Sequence, residues 1–315
     1  MSAVRTNHNL KKVQQDFELA LQNLSNVLKE IRPKANILNT KLGKIKKDLD
    51  NLPALDNDSL ARVAEIASKY ITLNYIFNSD VKYNKKDLLK VIEGKSDYKL
   101  DSNDNYNDYF FELSMGIRFL LSQKDNTRIN LDGACDVIIN DAIAIECKYI
   151  HSKNNLLKNI SKANKQINKR IADNQAKLGF IALDMSHICS EEKIRKFINV
   201  TFDNFLDSYK SLASRGHVDD ILQSLSENKN FKEIIGSFIT HEAEVTLFNE
   251  LGFNYDMGSN SYAILYQAVY THCFDYEGST LPITFRGMTY LLNSKIPESQ
   301  RQDIQKFIHN LAVGV

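Results

Sequence analysis

Asp136, Glu146 and Lys148 carry the strongest chemical signal in the 315-residue chain. Val137–Ile139 and Ile143–Ile145 are apolar runs of strand length, separated by the turn-forming residues Asn140 and Asp141, which is the pattern of a β-hairpin. A three-residue loop, Asn140 to Ala142, sets Ile139 opposite Ile143 and therefore Asp136 opposite Glu146. At a side-chain period of two, Asp136, Ile138, Ala144, Glu146 and Lys148 share one face, and Val137, Ile139, Ile143, Ile145 and Cys147 share the other. The second set reads as core, and the first carries two acids and a lysine at its open end. Carboxylates about 5 Å apart across a strand pair repel each other unless a cation sits between them. Oxygen ligation of this kind suits Mg²⁺, which accepts one or two carboxylates, waters and a substrate phosphate. The Lys148 ammonium can then meet a phosphate oxygen or an attacking water where negative charge develops. Asp132 is also even-spaced from Glu146 and is the rival first acid; it precedes Gly133 and lies nearer the start of the strand, so it ranks second.

Asp136-x9-Glu146-x-Lys148 resembles the PD-(D/E)xK nuclease superfamily, the restriction-endonuclease-like fold, over about residues 106–185. The resemblance implies a core running helix, three strands, helix, strand. It implies that Asp136 and Glu146 hold Mg²⁺, with Mn²⁺ able to substitute, that the Cys147 carbonyl completes the metal site, and that Lys148 assists the water. The upstream helix expected over Tyr106–Ser122 carries Glu112, which matches the acid that the family often places there and implies a second metal or an orienting role toward bound waters. The chain departs from the pattern at Cys135, where the motif has proline. The expected function is metal-dependent phosphodiester hydrolysis, with DNA as the first-ranked substrate and RNA left open, in a restriction, repair or antiphage setting. The rival is a non-catalytic scaffold of the same fold that docks a partner through its N-terminal helices. The intact Asp–Glu–Lys set argues against that rival.

The hairpin must be held by its neighbours. After Lys148 a helix is expected from about Asn154 to Ala176, followed by a strand at Leu178–Leu183. Lys158, Lys162, Lys165 and Lys169 recur at 4-3-4 spacing along one stripe of this helix, opposite Ile160, Ala163, Ile167 and Ile171. From Lys148 to Lys177 there are eight basic residues and one acid, Asp173. The bland account is a solvated face. The sharper one, favoured by adjacency to the acidic hairpin and the lack of interleaved Glu, is a row of phosphate contacts. Gln166 flanks the stripe and looks like a glutamine that some nuclease families place on this helix, although Arg170 stands where a Tyr would follow. His151 reads as a substrate contact or a surface histidine.

Upstream, Leu10, Val13, Phe17, Ala20, Leu24, Val27 and Ile31 form a coiled-coil-like seam that Pro33 ends, and Ala35, Leu38, Leu42, Ile45, Leu49 and Leu52 form a second. A third helix opens after Asp58 or Ser59 and runs to Leu73. Residues 1–83 are expected to be a helical bundle or a dimerising or partner-docking coiled coil. Residues 84–105 read as a polar linker with a short helix at Asp87–Glu93, and residues 106–315 as the nuclease-like domain. Downstream, helices are expected at Glu191–Leu212, Val218–Ile239 and Glu298–Leu311, and strands at Tyr262–Phe274 and Leu281–Leu292 with a turn at Tyr276–Ser279. The predicted class is therefore α/β (α+β), a mixed central sheet flanked by helices behind an N-terminal helical region.

Composition sets the outer bounds. A net charge of +1 means that any nucleic-acid footprint must be local. Four prolines and twelve glycines argue for long regular elements, and four cysteines without C-x-x-C spacing read as reduced, buried thiols of a cytoplasmic protein. No membrane span and no secretion leader is expected. A homodimer is expected, because cutting both strands of a duplex needs two sites.

Overall fold

The computed structural model describes residues 3–4, 10–79, 81–95, 97–98, 101–122, 128–131, 136–213, 220–252 and 255–313. The protein is mixed α/β. Its strands are β1 (Ala3–Val4), β2 (Lys82–Tyr83), β3 (Ile129–Leu131), β4 (Val137–Ile139), β5 (Ile143–Tyr149), β6 (Leu178–Asp184), β7 (Ser261–Tyr276) and β8 (Ser279–Leu292). They form one sheet in the order β1-β8-β7-β6-β5-β4-β3-β2. Strands β3, β4 and β5 meander antiparallel, β5, β6 and β7 run parallel, and β7 and β8 form a long antiparallel hairpin. The helices are α1 (Leu10–Ile31), α2 (Lys41–Leu49), α3 (Asn57–Thr72), α4 (Asn74–Phe77), α5 (Lys85–Leu88), α6 (Tyr106–Ser122), α7 (Leu156–Ala172), α8 (Glu191–Ala213), α9 (Ile221–Glu227), α10 (Lys229–Leu251) and α11 (Glu298–Val313). Among the described residues no helix is long and apolar enough to cross a membrane.

Helices cover both faces of the central strands, and strand alternation shows it. Along β6, Phe180 and Ala182 join a core with Phe17, Leu24, Val63, Tyr70 and Phe110 from α1, α3 and α6. Ile181 and Leu183 point the other way, into a core with Ile160 and Ile167 of α7 and Ile235 and Ile239 of α10. Gly179 lets α7 sit this close: a Cβ there would stand 2.3 Å from Ile167 Cγ2.

The structure departs from the sequence reading in four places. The α1 seam does not form a separate bundle, because Phe17, Ala20, Leu24 and Val27 are buried, and Phe17, Leu24 and Val27 belong to the same core as Val137 and Ile145. An apolar stripe reveals that something covers it, and here the chain's own sheet and helices do. The segment read as a linker also contributes to that core, through Leu88, Leu89, Val91, Ile92 and Tyr98. The second helix is shorter than its apolar pattern. Asn36 and Thr40 accept hydrogen bonds from Leu38 N and Leu42 N, and these local caps break the run into a 3₁₀ turn and α2, leaving Leu38 exposed. Likewise Asn228 accepts from Phe231 N and starts α10 afresh, so the expected helix Val218–Ile239 becomes α9 and a longer α10 that reaches Leu251. Third-helix capping shifts only slightly: Asp56 accepts from Ser59 N at 2.7 Å.

Candidate active site

The β4–β5 hairpin has the register that the sequence pattern predicts, with Val137 opposite Ile145, Ile138 opposite Ala144 and Ile139 opposite Ile143. Its turn is closed by the Ala142 amide donating to the Ile139 carbonyl at 3.0 Å. Asn140 and Asp141 both take φ of 51°, the left-handed region that such a turn requires and that these two residue types tolerate best after glycine. One step beyond the last pair, Asp136 Oδ2 accepts from the Cys147 amide at 2.6 Å, which ties the carboxylate to β5.

Three oxygens converge on one point. Lys148 Nζ donates to Asp136 Oδ2 at 3.2 Å, to Glu146 Oε2 at 3.2 Å and to the Cys147 carbonyl at 2.9 Å. The polar face is less open than its residues suggested. Ile138 and Ala144 pack against Ala176 and Ile171 beside α7, and the Glu146 side chain is 0% exposed. Lys148 and Asp136 retain 14% and 16% exposure. A buried carboxylate is costly unless it is paired, and the ion pair with Lys148 offsets part of that cost for Glu146. Burial alone disfavours the Lys148 ammonium, but the Asp136 and Glu146 charges outweigh it and hold its pKa above the ordinary lysine value. Burial raises the Cys147 thiol, so at this site the residue offers its backbone carbonyl rather than a thiolate.

Helix α6 brings more acid. Glu112 is half-buried, and burial first and the Asp136 charge second push its carboxyl up to about 8, with Lys148 opposing. One turn earlier on the same face, Asp108 Oδ2 lies 3.1 Å from His151 Nε2, while His151 Nδ1 lies 2.7 Å from Asn103 Oδ1. Burial raises Asp108 as well, and the His151 contact opposes the shift. Sequence reasoning missed this pair. The i,i+4 relation of Asp108 to Glu112 was visible, but the partner lies 43 residues away.

A cleft of about 200 Å³ opens beside Glu112 and Asp136, walled by Tyr83, Asp87, Lys90 and Tyr109. A larger cavity of about 620 Å³ lies elsewhere, against α3, α8 and β7. Volume does not locate the converging charges, which stand beside the smaller cleft.

The remaining sequence candidates fall in different places. Lys158, Lys162, Lys165 and Lys169 are all exposed on α7, opposite the buried Ile160, Ala163 and Ile167. Among the described residues they make no ion pair, and the contacts of the carboxylate cluster do not include them. Gln166 is half-buried with its Oε1 enclosed and, among the described residues, without a protein partner, so it does not stand with the lysines in solvent. Asp132 and Cys135 lie outside the described residues.

The donor set suits a hard divalent cation. Among the described residues no three His, Cys, Asp or Glu side chains group as metal ligands. Two carboxylates and a carbonyl already directed at one cationic centre are what Mg²⁺ accepts when waters and a phosphate complete its shell. Glu112 also makes stability depend on pH. Its folded-state pKa, about 8, exceeds its ordinary 4.5, so the unfolded chain gives up this proton first as pH rises. In metal-free protein the Glu112 contribution therefore lowers stability across the window from about 4.5 to about 8, by up to about 1.4 kcal/mol per pH unit, and is level above it. Glu112→Gln removes this slope. In EDTA, calorimetry should show the variant gaining on wild type steadily from acid pH to pH 8. Parallel profiles would mean that Glu112 titrates normally.

In comparisons with family models, curated proteins and solved structures, nothing matches this chain.

Proposed function

We propose that this chain is a Mg²⁺-dependent nuclease that hydrolyses phosphodiester bonds, with DNA as its substrate and Mn²⁺ able to replace Mg²⁺. The observation that carries the reading is the meeting of Asp136, Glu146 and the Cys147 carbonyl at the Lys148 ammonium. The chain order supports it as well. Helix α6, strands β3, β4 and β5, helix α7 and strand β6 follow one another as in the restriction-endonuclease-like core, with β3–β5 antiparallel and β6 parallel to β5.

Asp136, Glu146 and the Cys147 carbonyl would hold the cation, which when bound lowers the pKa of a water and offsets charge on the scissile phosphate. Lys148 stays protonated through the neutral range and places its ammonium where the phosphorane gains negative charge. Glu112, which holds its proton at neutral pH in the metal-free protein, and the Asp108–His151 pair border this point and orient polar groups around it. The exposed α7 lysines supply sequence-independent phosphate contacts. A restriction, repair or antiphage role suits such an activity. A homodimer acting on both strands would have to form through a surface other than the α1 seam, whose central residues are already buried within the chain.

Incubating the purified chain with single- and double-stranded DNA and RNA tests the reading. Cleavage of DNA with Mg²⁺ or Mn²⁺, abolished by EDTA, is expected. A protein that cuts no substrate with either metal would refute it.

A further inference from the structure

Helix α6 carries a third charged residue, Arg118, which the hydrolytic reading leaves unused. Arg118 is 2% exposed; among the described residues its Nε has no hydrogen-bond partner, and one Nη meets Met288 Sδ at 3.6 Å. No carboxylate of the described residues lies within ion-pair distance of it. Arg286 of β8 lines the same cavity, which encloses about 120 Å³ between α3, α6 and strands β6 to β8. Burial, and then the like charge of Arg286, hold the Arg118 pKa well below the ordinary arginine value. The nearby acid, Asp184, is already committed. Its Oδ1 accepts from the Ser186 amide at 3.0 Å and hydroxyl at 2.5 Å, and its Oδ2 accepts from Gln267 Nε2 at 2.7 Å. A buried guanidinium with an unmet donor destabilises a fold unless an anion completes it.

The shape of the surrounding space indicates which anion. The small cavity shares Glu65, Lys69, Tyr149, Ser186 and Val269 with the 620 Å³ chamber, so the two adjoin. Charge in the outer chamber is largely internally paired: Arg62 and Lys69 both bind Glu65, and Arg195 binds Glu191 and Asp58. Its walls offer the aromatic rings of Phe202, Tyr270 and His272. The cationic end is thus narrow and phosphate-sized, and the balanced, aromatic end is wide. Such polarity fits a ligand with an anionic head and a flat polar body.

We infer that the two adjoining cavities together bind a nucleoside phosphate, with its phosphate against Arg118 and Arg286 and its base in the outer chamber beside Tyr270. The site is separate from the carboxylate cluster. Arg118 stands six residues beyond Glu112 on α6, about 9 Å along the helix axis, and Tyr149 directly follows Lys148 on β5. An occupant therefore touches two elements that also carry the acids.

Calorimetric titration and thermal melting of the full chain in EDTA, with AMP, ATP and inorganic phosphate as probes, test this. EDTA removes any cation that would draw a nucleotide to Asp136 and Glu146, so binding is read independently of nuclease activity. A nucleotide is expected to bind, to raise the melting temperature by several degrees at saturation and to bind more tightly than phosphate. Arg118→Met should weaken nucleotide and phosphate alike by about thirtyfold or more, without lowering the melting temperature of the ligand-free protein. Tyr270→Ser should weaken the nucleotides and leave phosphate unchanged, and this second variant keeps the test open if Arg118→Met does not fold. Wild type that binds neither nucleotide, or nucleotide binding that is unaltered in Tyr270→Ser and in any folded Arg118 variant, overturns the inference.

Discussion

Glu146→Gln should reduce metal-dependent cleavage by about a hundredfold or more, because it would remove one of the two charges proposed to hold the cation, and a group that pairs with Lys148. Gln is the better choice than Ala at a side chain with 0% exposure, since it keeps the volume and leaves no cavity. Asp136→Asn should behave the same way. If Asp132→Asn abolishes cleavage and Asp136→Asn does not, the first acid is the other one. Lys148→Met gives a readout that does not depend on turnover. In metal-free protein the variant leaves Asp136 and Glu146 facing each other without their cation, at a cost of about 3–5 kcal/mol for a broken buried pair. Mg²⁺ should restore much of that loss, and raise the melting temperature of the variant more than that of wild type, in which the ammonium already fills the point of convergence. Cleavage by Glu146→Gln at the wild-type rate, or a Lys148→Met melt that is indifferent to Mg²⁺, would sink the assignment.

Much of the hairpin was legible because its determinants are local. Two apolar runs, an Asn–Asp turn tolerant of positive φ and a period of two are enough to set Ile139 against Ile143 and so to align the acids. The lysine stripe was legible for the same reason, since 4-3-4 spacing alone decides that its members share a helix face. What period cannot reveal is the identity of the covering element. The face carrying Glu146 read as open, and α7 with the segment after it closes it. The α1 seam read as part of a helical bundle or coiled coil, and the sheet and neighbouring helices take it up. In both cases the stripe was right and its partner was not.

Contacts distant in sequence were the least accessible. His151 meets Asp108 only because α6 lies along β5, and neither residue has a local signal of pairing. Arg118 within α6 looks like any polar residue on a helix with a long apolar stripe. Its near-complete burial appears only once Met288 of β8 meets it and Gln267 and Arg286 line the same cavity. Side-chain caps sit between these extremes. Asn36, Thr40 and Asn228 are cap-forming types within apolar periodic runs, and in each case the local hydrogen bond prevailed over the periodicity.

Replacing Lys158, Lys162, Lys165 and Lys169 together by Gln separates binding from catalysis. All four side chains are exposed and, among the described residues, none makes an ion pair, so they are open to solvent and to a polyanion alike. Gln has nearly the helix propensity of Lys, and no packing is altered, so the melting temperature should stay close to that of wild type. A lysine that neutralises a phosphate of duplex DNA releases a counterion, and removing one such lysine reduces the slope of log affinity against log salt by about 0.9. If all four neutralise phosphates, the slope falls by about 3.6, and affinity drops most steeply at low salt. Point charges of this kind carry no base information, so the weakening should be uniform across sequences. Stabilisation by Mg²⁺ should be unchanged, because the hydrogen bonds of Asp136 and Glu146 involve none of these residues. A slope unaltered in the quadruple variant would mean that α7 presents only a solvated face, and that the strand lies across the Glu112 cleft by another route.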